Sequence, residues 1–305
     1  MSMETVFSQI GVILMYVLIG FAAGKIGLIN PDQRQYLNKL CASLILPFTV
    51  LSASSQTISG REMEQLLTAG LLMMGVLAAT TAGSLAVCRL RRLPEPITAA
   101  TTSLLTYPNL TFLGLPLCLA LFGEMAILYN AAGMLVFNLL FFSVQCSLFT
   151  GEKFKIRNLM TPAMGATVVL ILMLLTGLHF PAPIQTVVQS VGSMITPLSL
   201  IIIGVMLAES GVMSVLREKR AYPMVLLRNL LIPLAAMGLL MLLPMDSQAK
   251  LCVLVYLATP CATLTVIYSI RADMEARLCA TTVLLSTILF AVSLPAIVAI
   301  GSACL

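Results

Sequence analysis

The sequence predicts an all-α integral membrane protein: ten transmembrane helices in a five-plus-five inverted repeat, with helices four and nine broken and crossing. Three observations carry this. Hydrophobic residues make up 59% of the chain and charged residues 10%, with a mean hydropathy of +1.03, whereas a water-soluble domain is about a quarter charged. Spans of about 20 residues joined by short loops use up all 305 residues, leaving no length for a soluble domain. Finally, two apolar stretches are interrupted by matching polar breaks, Thr106-Tyr107-Pro108-Asn109-Leu110-Thr111 and Ala258-Thr259-Pro260-Cys261-Ala262-Thr263. Backbone that leaves a helix inside a bilayer is tolerated only where protein or a polar cavity satisfies it.

Apolar runs place the spans at about 5–24, 36–54, 64–88, 97–122, 125–149, 160–178, 184–208, 222–243, 248–270 and 276–301. The first run, Ile10 to Ala23, has only Glu4 as a charged side chain ahead of it, and its first cation, Lys25, follows it. A signal peptide needs a basic flank before its apolar core, so this run reads as a spanning helix that starts outside. Span two carries Ser43 and Thr49 around Pro47, and span seven carries Ser193, Thr196 and Ser199 around Pro197. In span three, Gly70, Gly75, Ala78, Ala79, Ala82 and Gly83 read as a close-packing seam.

Span four holds the first break. Pro108 has no amide hydrogen and clashes with the carbonyl one turn earlier, which pushes Tyr107 toward extended geometry. Asn109 and Thr111 supply polar side chains, Gly114 permits unusual dihedrals, and Pro116 suits the first turn of a second half-helix. On span five, Asn130, Asn138 and Gln145 lie on one side of the helix; such groups serve either as interhelical glue or as ligands. Span nine repeats the plan with Pro260 flanked by Thr259, Thr263 and Thr265.

Loop charge sets the orientation. The loops after the odd-numbered spans, with adjoining helix ends, hold Lys25, Arg34, Lys39, Arg89, Arg91, Arg92, Lys153, Lys155, Arg157, Arg217, Lys219, Arg220, Arg228, Arg271 and Arg277. Of the 17 basic residues, only Arg61 and Lys250 fall on the other side. Cationic loops stay in the cytoplasm, so both termini are expected outside the cytoplasmic membrane. The formal charge of +5 therefore reads as topology, with no nucleic-acid partner.

A weak internal repeat has the same sense. Ser43-Leu44-Ile45-Leu46-Pro47 echoes Ser193-Met194-Ile195-Thr196-Pro197, Pro108 with Thr111 echoes Pro260 with Thr263, and Glu124-Met125 echoes Asp273-Met274. An odd number of spans per half turns the second half over in the membrane. The halves are 1–152 and 153–305, joined by the basic loop between Gly151 and Asn158.

What the chain lacks bounds its chemistry. Eight cysteines stand singly without a CxxC pair, as small core residues and not metal ligands or disulfides. His179 is the only histidine, in a predicted outer loop beside Phe180-Pro181. With no Ser/His/Asp set, HExxH or paired intramembrane Asp, the chain reads as no enzyme, and no cofactor or metal is expected. Asp and Glu occur near span ends, so proton relay through a mid-membrane carboxylate is disfavoured. No basic residue is expected near a span centre either. An anion would then be held by the positive N-terminal ends and amide hydrogens of the broken helices. Sodium bound by freed carbonyls and Thr or Ser hydroxyls stays open.

The stretch Asn109-Leu110-Thr111-Phe112-Leu113-Gly114-Leu115-Pro116-Leu117, followed by Phe122-Gly123, resembles the fourth-span signature of the auxin efflux carrier family. Pro197 to Leu207 resembles its seventh span, and Ser286-Thr287 through Leu294-Pro295 its last. The resemblance implies a short bacterial-type carrier with a scaffold of spans one, two, six and seven and a transport domain of spans three to five and eight to ten. It further implies a crossover at the two breaks, elevator-like alternating access, a homodimer in the lipid bilayer, and small organic anions such as malate, malonate or auxin-like acids as substrates. Asn109 falls at the family's crossover asparagine and Pro108 and Pro260 at or near its crossing prolines, while Thr111 stands where a glycine is common. Candidate substrate-binding residues are thus Pro108, Asn109, Thr111, Gly114, Pro260 and Thr263, with Ser43, Asn138 and Gln145. A channel and a sodium-coupled symporter of the bile-acid type are the competing readings; the absence of Trp and the 6% aromatic content favour a small aliphatic acid over an indole.

Overall fold

The structure is a computed structural model and describes residues 3–151, 153–154, 159–210 and 215–305. Lys155, Arg157 and Asn158 of the predicted junction loop lie outside the described residues. Among those described, all regular structure is helical, with one isolated β-bridge. Six helical stretches are long and apolar enough to cross a membrane: Pro31–Ser55, Gly60–Leu90, Met125–Thr150, Ala182–Glu209, Ala221–Met241 and Ala276–Cys304. Shorter apolar helices cover Gly11–Lys25, Leu110–Phe122, Pro162–Thr176 and Ser247–Ala258. Helical segments cover the predicted apolar runs, and those at 97–122 and 248–270 are each divided in two.

The chain forms two compact units that interleave along the sequence: residues 1–67, 111–135 and 160–209, and residues 68–110, 136–159 and 210–305. In the first, helix α1 (Met3–Lys25) is followed by α2 (Pro31–Leu40), a π-helical turn at Cys41–Ile45, and α3 (Leu46–Ser52). Asn30 starts α2 with a capping box: its Oδ1 accepts from the Gln33 backbone N–H at 2.9 Å, and the Asn30 backbone N–H donates to Gln33 Oε1 at 2.9 Å, satisfying two amides that have no acceptor within the helix.

The π turn has a cause that recurs. Pro47 cannot donate back to the turn before it, and the ladder widens so that Leu46 N–H reaches Cys41 O. The same two-residue spacing places Pro116 after a π turn at Leu110–Gly114 and Pro233 after one at Leu227–Leu231. Isolated π turns of this kind collect at functional positions. A fourth, at Phe141–Gln145, has no proline behind it.

Close backbone approach in the first unit falls where the sequence reading did not put it. A Cβ at Gly20 would run into the Ile201 carbonyl, and one at Gly204 into that of Val17. These two glycines let α1 lie directly on α11 (Ile195–Ser210), as small residues do in membrane helix pairs. At Gly192 in α10 (Ala182–Ser193) a Cβ would stand 2.9 Å from Thr49 Cα, and Thr49 Oγ1 donates to Gly192 O at 2.8 Å. The predicted seam on α4 (Gly60–Leu90) is corrected: a Cβ at Gly75 or Gly83 would meet no atom within 4 Å, so these glycines are not forced by packing.

The second unit contains both breaks. Helix α5 (Glu95–Thr106) ends before the first, and the chain resumes through the π turn at Leu110–Gly114 into α6 (Leu115–Phe122) of the first unit. Helix α7 (Met125–Leu140), whose residues from 136 on belong to the second unit, continues through the π turn at Phe141–Gln145 into α8 (Cys146–Thr150), and α9 (Pro162–Thr176) precedes α10 in the first unit. Helices α12 (Ala221–Leu226) and α13 (Ile232–Met241) flank the Leu227–Leu231 turn. Helix α14 (Ser247–Ala258) ends before the second break, α15 (Leu264–Arg271) follows it, and α16 (Ala276–Cys304) closes the chain. Around the breaks Ala100, Leu104, Cys261, Cys279 and Val283 form a buried cluster, with Met224 and Val266 packed on it. Seven of the eight free cysteines are buried and Cys304 is exposed.

Candidate functional site

Both predicted breaks are real interruptions, and they pair with each other. At the end of α5, Tyr107 is extended, with φ −96° and ψ 114°; at the end of α14, Thr259 has φ −57° and ψ 150°. Pro108 and Cys261 form the isolated antiparallel bridge. Asn109 N–H donates to Pro260 O at 2.8 Å, and Ala262 N–H donates to Tyr107 O at 2.9 Å. Because a proline leaves each segment without one donor, two short extended pieces can satisfy one another in place of the lost helical bonds. Ser103 Oγ and Thr265 Oγ1, 2.8 Å apart, join the helices on either side.

This pairing corrects the expectation that the amides of the breaks stand open to a solute. Those of Asn109 and Ala262 are consumed by the bridge, and that of Cys261 donates to Ser286 Oγ at 3.1 Å. What remains is the start of α15. Thr265 N–H bonds Ala262 O and Val266 N–H bonds Thr263 O, so the Thr263 and Leu264 amides occupy the end of the helix where its geometry supplies no acceptor. Gly114 is corrected as well: it has φ −64° and ψ −51°, ordinary right-handed helix. Thr111, in the π turn, is absent from the described non-glycine residues with positive φ, so threonine fits the turn where the family commonly has glycine.

The largest departure is Arg228. Its place among the basic residues near a loop put it at a span end, yet it lies within the 221–241 helical stretch, in the Leu227–Leu231 turn, and is 0% exposed. Its Nη2 donates to Leu257 O at 2.9 Å and to Thr259 O at 3.0 Å, Nε donates to Thr259 O at 3.2 Å, and Nη1 donates to Leu105 O at 3.4 Å. These carbonyls belong to the last turns of α5 and α14, where a helix leaves its acceptors unpaired and carries partial negative charge. One guanidinium therefore caps the C-terminal ends of both broken helices. Among the described residues, no carboxylate pairs with it. Its neighbour Asn229 donates from Nδ2 to Ser286 O at 2.7 Å, and Ser286 is the residue whose hydroxyl receives the Cys261 amide. Asn229 and Ser286 thus brace the crossing from a third and a fourth helix.

The remaining candidates divide between the units. Pro108, Asn109, Pro260 and Thr263 come together at the crossing, with Asn109 buried. Asn138 is buried on α7 next to Phe137, whose ring lies edge-on to that of Tyr107 at 5.2 Å. Gln145 is buried and donates from Nε2 to Ala99 O at 2.8 Å, which braces α5. Thr111 and Gly114 belong to the first unit, where Thr111 Oγ1 contacts Met134 Sδ at 3.2 Å. Ser43, also in the first unit, is exposed. Asn130 is fully buried there, and neither polar atom of its side chain has a partner among the described residues. His179 donates from Nδ1 to Ser54 O at 2.7 Å, a loop tie.

A cavity of about 840 Å³ opens in the second unit, lined by Arg89, Glu95, Thr98, Cys146, Tyr268 and Arg271 among others. These residues come from the last turn of α4, the first turn of α5, α8 and the second half of α15. Aromatic rings lead from the crossing to it: Tyr107 to Phe141 at 5.0 Å, then Phe141 to Tyr268 at 5.1 Å.

Comparison with protein families gives a match to the membrane transport protein family over residues 5–163 and 147–298, nearly the whole chain. The chain belongs to this family. It is the auxin efflux carrier type of membrane transporter that the fourth-span signature resembles, and the apolar helices agree with a multi-pass membrane protein. No match is found among curated proteins. In this membrane transport protein, the part of the site that sequence reasoning missed is the Arg228–Asn229 pair. The available signal was Pro233, a proline four residues after an Arg-Asn dipeptide within an apolar stretch.

Proposed function

We propose that this transporter moves small carboxylates across the cytoplasmic membrane by alternating access, with the solute held at the crossing of the two broken helices. The observation that carries the reading is the electrostatic balance at that crossing. Each helix end carries about half an elementary charge. The guanidinium of Arg228 meets the C-terminal ends of α5 and α14 together, offsetting their roughly one negative charge. The positive end of α15 is then left without an opposing charge among the described residues, at the hydroxyl-bearing Thr263 that precedes it, while the buried Asn109 is tied to the same segment through Pro260 O. Such an end, with a polar side chain alongside, suits a carboxylate.

The cavity bearing Arg89 and Arg271 suits an inner vestibule that concentrates anions before they reach the crossing. A division into scaffold and transport parts finds partial support in the two compact units: the first contains the whole of spans one, two, six and seven, but also residues 111–135 of spans four and five. Ten spans, the five-plus-five inverted repeat, elevator-like motion, a homodimer through the scaffold and external termini complete the proposal. Transport of a small dicarboxylate such as malonate or malate into proteoliposomes tests it. Saturable uptake that is stimulated by internal substrate and lost in Asn109→Ala, with the variant still folded, supports the carrier. Single-channel currents, or uptake unchanged in the variant, contradict it.

A further inference from the structure

Arg228 has a second consequence, which rests on the carrier reading. In transporters with broken helices, a coupling cation sits where unwound carbonyls and half-helix C-terminal ends converge. In this protein that position is already taken. The carbonyls of Leu105, Leu257 and Thr259, drawn from the last turns of both broken helices, accept four hydrogen bonds from one guanidinium that is 0% exposed. We propose that Arg228 is a tethered cation that takes the place of a dissociable coupling ion, so that transport is independent of sodium and other small cations.

The chemistry favours permanence. An arginine side chain stays protonated under all physiological conditions and presents donors in a fixed planar fork, whereas a bound sodium must be recruited from solution in every cycle. A second cation among the same three carbonyls would meet a unit positive charge at contact distance. Since the guanidinium hangs from the Leu227–Leu231 turn, held by Asn229 to α16, it moves with the second unit and is never released. Arg228 is accordingly a positioning residue: it fixes the two helix ends and the local charge without touching the solute.

Removing the side chain should leave a guanidinium-shaped vacancy lined by unpaired carbonyls, and the decisive experiment fills it from solution. Purified Arg228→Ala protein is expected to melt below wild type and to recover on addition of millimolar guanidinium, but not of tetramethylammonium, with wild type unaffected by either. Carboxylate flux in the variant should fall at least tenfold and return in part with guanidinium, while wild-type flux changes less than twofold when sodium is replaced by potassium or choline. Should Arg228→Ala fail to fold, Arg228→Lys serves: a single ammonium cannot span both helix ends, so flux should fall at least tenfold and stay sodium-independent. Wild-type flux that collapses without sodium overturns the proposal and favours the bile-acid type of symporter. An Arg228→Ala protein that melts as wild type, or that gains nothing from guanidinium, overturns it also. Absence of any carboxylate flux in wild type would instead refute the substrate assignment, while the melting readout still judges Arg228.

Discussion

A fully buried arginine with no carboxylate partner among the described residues is costly: desolvation of such a charge amounts to several kcal/mol even after relaxation. Four hydrogen bonds to carbonyls and two helix ends offset that cost, each charge-assisted bond contributing about 1.5–3 kcal/mol. Gln145 is the opposite case, a polar side chain whose hydrogen bond to Ala99 O serves packing. Gln145→Met is expected to lower stability by about 1 kcal/mol through loss of the bond to Ala99 O, with the transport KM unchanged. A KM raised severalfold would return Gln145 to the solute site. Asn130 should respond in the other direction. Because neither of its side-chain polar atoms finds a partner among the described residues, Asn130→Leu is expected to raise stability by about 1 kcal/mol, as read in a thermal melt; a fall would show that the amide has a bound partner.

At the level of elements, prolines set the architecture in two ways. Pro47, Pro116 and Pro233 widen the preceding turn into a π turn while the helix goes on, whereas Pro108 and Pro260 end a helix outright and place its backbone in a bridge. The difference lies in the neighbours: the second pair is set among Thr and Asn, whose side chains compete for backbone groups. The breaks were therefore legible in the sequence, as a proline within a polar run inside an apolar stretch. Arg228 was not, because Arg217, Lys219 and Arg220 lie just before it and a loop-charge count takes all four together; only the fold shows that the helix has begun at Ala221. The small residues of span three misled for a related reason, since a glycine pattern marks where backbones can approach and not where they do. Gly204→Val should destabilise the α1–α11 contact by about 1–3 kcal/mol or more, while Gly75→Ala should leave the melting temperature unchanged or higher. At the turn before α12, the hydrogen bond from Arg220 holds the Glu218 carboxyl below its ordinary value of 4.5. A group with a depressed folded pKa adds stability above its unfolded pKa and loses it as pH falls through the folded one. The difference in melting temperature between wild type and Arg220→Gln should thus be present at pH 7 and shrink below about pH 4; a difference that grows on acidification would contradict the pairing. Both side chains reach solvent, so the effect is small.

On the scale of the whole molecule, loop charge, orientation and the single exposed cysteine meet in one test. Cys304 is the exposed thiol at the end of α16 and the other seven are buried. The proposed topology, with both termini outside the cytoplasm, predicts that a membrane-impermeant maleimide labels Cys304 in intact cells and fails to label Cys304→Ser; labelling that requires permeabilisation would invert the topology.

The central claim is that the crossing of the broken helices holds a carboxylate. Equilibrium binding of radiolabelled malonate or malate to purified protein tests it most directly. Saturable binding that unlabelled dicarboxylates displace, neutral diamides do not, and Asn109→Ala abolishes in a folded protein is the predicted result. Dicarboxylate binding of equal affinity in wild type and Asn109→Ala would contradict it.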